Sequence, residues 1–293
     1  MKIARFNGGR IGLVVDDNVF DVTEAAGIEA GEWPPVGPVK LIRDFDKRRA
    51  AMEAAAKTAP KLALASVKLE TPIPWPHKLI AIPVNYQAHA IEMSSPAISR
   101  NAGFFMKSSA SLSGVSEDII LPDLPGREIH HEAELAVIIG KGGRHIPVDK
   151  ALDHVFGYAC LLDMTVRGKQ ERTIRKSYDT FTPVGPYIVT ADEVGAPTDL
   201  QVTLWVNDQV RQDANTSKMF LSVAEIIEMC SSVTTLEAGD VIATGTAEGV
   251  GPVSDGDTVR IAISRVGEMS LRVKRGTGGA NIAIPYRLPE AKS

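Results

Sequence analysis

In the stretch His131-Glu132-Ala133-Glu134-Leu135-Ala136-Val137-Ile138-Ile139-Gly140, two carboxylates stand two residues apart at the mouth of an apolar run closed by glycine. The length of that run and its β-branched content predict a strand. Successive side chains of a strand point to opposite faces, so Glu132 and Glu134 share one face while Ala133 and Leu135 share the other. Two anions a few ångströms apart repel unless a cation lies between them or one takes a proton, and a metal is the simpler resolution. Taken alone, Glu-x-Glu is also what a solvent-facing edge strand shows. A second apolar run, Gly157-Tyr158-Ala159-Cys160-Leu161-Leu162, ends in Asp163 and supplies a third candidate ligand. Three carboxylates with no nearby Cys or His cluster favour a hard, oxygen-seeking ion, Mg²⁺ first, then Mn²⁺ or Ca²⁺.

The chain has 293 residues, enough for one large domain with a small appendage. A net charge of −4 and the lack of any basic block speak against nucleic acid. Both cysteines, Cys160 and Cys230, sit inside apolar runs, which predicts buried thiols in a reducing compartment. No signal-like start or membrane-length apolar stretch is present, so a cytoplasmic, membrane-independent protein is expected.

Residues 2–22 alternate short β-like runs with turn residues and read as an antiparallel meander, followed by a helix over about 41–57. These belong to a small N-terminal domain, residues 1–70, joined by the proline-rich Thr71–Pro76 to a main domain over 71–293. The main domain opens with the strand Lys78–Ile82. If the segment after Asn85 and Tyr86 is helical, His89 and Glu92 lie on one face, where the carboxylate can orient the imidazole as a general base. Lys107 ends a short aromatic strand and either serves an anionic substrate or lies in solvent. A polar helix is expected from Thr165 to about Arg172, carrying Arg167 and Gln170. Gln201–Val206 and Gln209–Gln212 flank the turn Asn207-Asp208 as a hairpin, and Ser222-Val223-Ala224-Glu225 opens a helix with a capping box. The strand Val241–Ala243 runs into Thr244-Gly245-Thr246-Ala247-Glu248-Gly249-Val250-Gly251, whose backbone N–H groups suit a carboxylate or phosphate. It lacks the Lys-Ser/Thr ending of a nucleotide loop.

The order of these segments resembles the fumarylacetoacetate hydrolase family. The motifs are Asn-Tyr-x-x-His-x-x-Glu, Phe-x-Lys, Glu-x-Glu, a strand-end Asp, Lys-Ser ahead of Gly-Pro, Asn-x-x-x-Arg-Gln and Thr-Gly-Thr-x-x-Gly-Val-Gly, spread over residues 77–275. The resemblance implies an α+β, β-rich fold, a mixed β-roll catalytic core with a small N-terminal domain, assembled as a homodimer with one divalent ion per subunit. It places the metal triad on Glu132, Glu134 and Asp163, the active-site lysine on Lys176, and the acylpyruvase-type glutamine on Gln170. The substrate-contacting threonine falls on Thr246, and the lid dyad on His89 and Glu92. Asn85, Tyr86, Lys107 and Gly245 complete the expected substrate contacts. Ala247 replaces a usual proline, Gly168 a common acidic residue, and Ile82-Pro83-Val84 a glycine-containing lead, which leaves the triad intact and the substrate open.

The implied activity is metal-dependent hydrolysis of a carbon–carbon bond in a 2,4-dioxo acid, an acylpyruvate or a fumarylacetoacetate-like product of aromatic catabolism. His89, polarised by Glu92, activates water while Lys176 and Thr246 hold substrate oxygens. The same scaffold supports decarboxylation of a β-keto acid such as oxaloacetate, or isomerisation or dehydration of a 2-oxo acid. A catalytically silent metal- or ligand-binding relative is the remaining reading.

Overall fold

The computed structural model describes residues 1–94 and 99–278; the end of the expected 71–293 unit therefore lies outside the described residues. The fold is α+β and strand-rich, built on a large mixed sheet and two smaller ones. Across the large sheet the strands run Lys61–Ala63, Asn18–Asp21, Arg10–Val15, Lys2–Phe6, Thr182–Thr190, Val155–Leu162, Ala133–Ile139, Val241–Ala243, Leu79–Ala81 and Phe105–Met106. The expected N-terminal meander forms, and its first strand pairs antiparallel with Thr182–Thr190, Lys2 opposite Val189. The second sheet runs Gln209–Asn215, Gln201–Val206, Thr258–Ile263, Gly267–Arg275, Ile119–Leu121 and contains the expected hairpin.

Ala133–Ile139 is buried along its whole length because both faces of the sheet are covered. Leu135, Val137 and Ile139 pack with Val202, Leu204, Val259 and Ile261 of the second sheet. Ala136 and Ile138 face the other way, into a core with Leu41, Ile42, Phe45 and Met52 from the N-terminal helices. Glu132 and Glu134 thus continue the Ala136 face beyond the point where apolar packing ends, and the edge-strand reading fails.

Two helix expectations are corrected. The helix over 41–57 is two, Gly37–Arg43 and Phe45–Ala56, because Asp44 leaves helical geometry and its N–H closes the first on Lys40 and Ile42. Thr165–Arg172 is not helical: Thr165–Val166 pairs with Ile129–His131, and Gly168 takes a φ of +155°. Helix begins only at Arg172–Lys176, while Arg175 Nε donates to the Gln170 carbonyl. The capping box forms as expected, with Ser222 and Glu225 bonded reciprocally at the start of Val223–Val233. Among the described residues no helix is long and apolar enough to cross a membrane.

Candidate active site

Register brings the three carboxylates together. Glu134 stands opposite Leu161 in the antiparallel pair, so Asp163, two residues on, projects from the same face, and its N–H donates to the Glu132 carbonyl at 2.9 Å. Ligand oxygens of Glu132, Glu134 and Asp163 lie within 4.8 Å of one another, and all three residues are buried. The neighbouring strands Val241–Ala243 and Leu79–Ala81 run parallel and end at the same edge, delivering the glycine-rich loop and the helix Gln87–Glu92. A pocket of about 290 Å³ opens there, lined by the triad, His89, Lys176, Thr246 and three arginines, Arg167, Arg172 and Arg175. Ile82, Pro83, Val84, Met93 and Phe105 supply its apolar wall.

Cations surround the carboxylates. Lys176 Nζ donates to Glu132 Oε2 and Asp163 Oδ2, both at 2.7 Å, and to Thr165 Oγ1 at 2.6 Å, which uses its three hydrogens. Lys107 is buried behind Asp163 and bonded to it, so it is neither a solvent residue nor part of the pocket lining. Arg167 approaches Glu132 Oε1 at 3.1 Å. Burial works to raise the Glu132 pKa, but the Lys176 and Arg167 charges outweigh it and bring it down to about 2. For Glu134, burial and the Asp163 charge push the pKa well above the ordinary carboxylate value. An all-oxygen, buried and mutually repelling donor set of this kind suits a hard divalent cation.

The glycine-rich loop does bind carboxylates through its N–H groups, and they are the protein's own. Gly245 N–H donates to Glu134 Oε2 at 2.7 Å, and Gly249 N–H to Glu92 Oε1 at 2.9 Å. Both glycines have φ near +90°. A Cβ at Gly249 would lie 1.9 Å from the Arg211 carbonyl oxygen. With its Oε2, Glu92 accepts from His89 Nδ1 at 2.9 Å, so the expected dyad is formed on a buried imidazole.

Of the six expected substrate residues Thr246 lines the pocket, whereas Lys107, Asn85, Tyr86, Gln170 and Gly245, whose N–H is taken by Glu134, are placed outside its lining. The Asn85 amide is saturated: it donates to the Leu221 and Thr244 carbonyls and accepts from Ser99 Oγ and Leu221 N–H, clamping the loop from below. Tyr86 is buried and lines a separate depression with Gln87 and Ile91. Gln170 accepts from Arg127 at 2.5 Å, away from the pocket. Conversely, sequence reasoning gave no role to Arg172 or Arg175, although helical spacing on a basic helix after Asp163 marks them. Nor did it give one to Gln212, whose only signal was its place in the Asn-x-x-x-Arg-Gln motif.

Residues 78–274 match the family model for the fumarylacetoacetate hydrolase C-terminal domain. The maleylpyruvate hydrolase of Aquipseudomonas alcaligenes is 43% identical over 286 residues, covering 94% of this chain and 99% of that protein. A crystal structure of maleylpyruvate hydrolase from Sphingobium sp. SYK-6, in complex with manganese(II) and pyruvate, superposes with a TM-score of 0.88. It is 51% identical and covers 94% of this chain and 100% of that one. The oxaloacetate tautomerase YisK of Bacillus subtilis is 36% identical over 292 residues, covering 92% of this chain and 97% of that protein.

Proposed function

The chain belongs to the fumarylacetoacetate hydrolase family, and from that membership and its pocket we propose that it hydrolyses a carbon–carbon bond in a 2,4-dioxo acid of the acylpyruvate class. The observation that carries this reading is the meeting in one pocket of the carboxylate triad and His89, whose ring Glu92 holds. Arg167, Arg172 and Arg175 on its wall suit a substrate with a second carboxylate, as in maleylpyruvate, the substrate named for two of the relatives.

Glu132, Glu134 and Asp163 are the residues to hold the ion, and their oxygen donors suit Mg²⁺ and Mn²⁺ alike. Such an ion, when bound, neutralises the negative charge that develops on substrate oxygens as the bond breaks. Glu92 accepts the Nδ1 hydrogen of His89, which leaves the lone pair on Nε2. That nitrogen takes a proton from water as the water oxygen bonds to the distal carbonyl carbon. The carbon–carbon bond then breaks toward the pyruvate half, and the same proton completes its methyl group. Lys176 and Lys107 keep the triad in place by charge, and the apolar wall excludes competing water. Cytoplasmic location and a homodimer belong to the same proposal, the latter open to light scattering.

The test is product-resolved turnover of maleylpyruvate, acetylpyruvate and oxaloacetate in ¹⁸O-labelled water with Mg²⁺ or Mn²⁺. One labelled oxygen in the released acid, with pyruvate formed in equal amount, is expected. Turnover of oxaloacetate with both acylpyruvates left intact overturns the hydrolase reading in favour of decarboxylation or tautomerisation.

A further inference from the structure

Gln212 stands behind the pocket, on Gln209–Asn215 of the second sheet, and is 2% exposed. Its carboxamide is saturated. Oε1 accepts from Ala133 N–H at 2.9 Å and meets His131 Nδ1 at 3.2 Å, while Nε2 donates to Thr246 Oγ1 at 2.8 Å and to the Ala247 carbonyl at 2.9 Å. The amide cannot be turned over, because Ala133 N–H only donates and the Ala247 carbonyl only accepts. Thr246 in turn donates its hydroxyl hydrogen to the Ala133 carbonyl at 2.8 Å.

This closed ring has a consequence for each residue it touches. A hydroxyl has one hydrogen and two lone pairs. The hydrogen of Thr246 is committed to Ala133 and one lone pair to Gln212, so the remaining lone pair is what this pocket-lining side chain offers a ligand. Ala133 lies between Glu132 and Glu134, where the strand Ile129–His131 has ended and Ala133–Ile139 has begun. Both of its peptide groups are tied to the Gln212–Thr246 unit. We propose that Gln212 is a positioning residue acting through these two neighbours. It sets Thr246 as an acceptor for an O–H hydrogen in the pocket, and it pins the peptide that separates two triad carboxylates. Only the owner of that hydrogen, the attacking water or an enol hydroxyl of the substrate, rests on the hydrolase reading.

The experiment is a double-mutant cycle with Gln212→Leu, Thr246→Val and both together, with Mn²⁺ titrated by calorimetry into each folded protein. Removing an outer partner of this kind is expected to weaken Mn²⁺ binding to Gln212→Leu by about tenfold or more. Each single change should lower kcat/KM about tenfold, and the pair should cost little beyond the worse single, because both remove one path. A loss in kcat alone assigns the hydrogen to water, and a loss carried by KM assigns it to the enol. If Gln212→Leu does not fold, Gln212→Met fills nearly the same volume and likewise removes both the Oε1 acceptor and the N–H donors. That variant is expected to lose Mn²⁺ affinity and turnover to the same extent, and wild-type values for both overturn the proposal. A folded Gln212→Leu protein with unchanged Mn²⁺ affinity and kinetics, or losses that simply add, overturns the proposal. If no dioxo acid is turned over, the hydrolase reading falls, and the Mn²⁺ titration alone still decides the role of Gln212.

Discussion

Glu134 is the carboxylate of the triad whose ionised form is least compensated. Glu132 has Lys176 and Arg167 beside it, and Asp163 has both lysines, whereas Glu134 receives the Gly245 N–H and faces two other carboxylates. A cation therefore gains most from Glu134, and Glu134→Gln is expected to abolish Mn²⁺ binding and turnover together; calorimetry showing wild-type affinity would exclude the site. His89 does separate work. His89→Ala should lower kcat on an acylpyruvate by about 10²–10⁴-fold, the ordinary value of a general base, while Mn²⁺ affinity stays put. The triad was legible in the sequence because a period of two and a strand end are local signals. Lys107 was not, since its partner Asp163 lies 56 residues along the chain. Gln170 was misplaced for a related reason: its neighbourhood depends on Arg127, which no local spacing relates to it.

At the scale of elements, the loop Thr244–Gly251 is the joint on which metal ligand and base both depend, because its two N–H groups hold Glu134 and Glu92. Gly249→Ala sets a methyl against the Arg211 carbonyl at a backbone angle that L-residues resist, so the loop must move. The expected outcome is a drop in kcat/KM of about tenfold, the order of losing one positioning hydrogen bond, seen in steady-state kinetics. Ser222→Ala is the contrasting case. It removes a helix cap worth about 1 kcal/mol, to be read by denaturant melts, and should leave the kinetics unchanged. That cap, the hairpin and the buried strands were readable because each announces itself within a few residues. Thr165–Val166 was not, because its strand character comes from pairing with Ile129–His131, and a polar run with one glycine reads as helix until that partner is known.

Across the whole molecule, burial controls what titrates. Cys160 and Cys230 are both buried, and burial pushes each thiol up to about 12. Iodoacetamide at about pH 8 should modify neither in the native protein and both in denaturant, by mass spectrometry. The site couples to the fold by the same physics. Without a cation, burial and Asp163 hold the Glu134 pKa well above its unfolded value, so the folded protein binds a proton there that the unfolded chain has already lost. The sign of the linkage follows: this group's contribution to stability is full below the unfolded pKa and disappears as pH rises through the folded one. A divalent ion replaces that proton, so its binding releases protons and weakens on acidification. Mn²⁺ at about a hundred times its Kd should add about 2.7 kcal/mol to the stability. The melting temperature should thus rise with Mn²⁺, and rise more at about pH 8 than at about pH 6. Calorimetry in buffers of different ionisation enthalpy counts the protons released. An increment in melting temperature that is the same at both pH values, with no proton release, would mean that the ion is not held by Glu134.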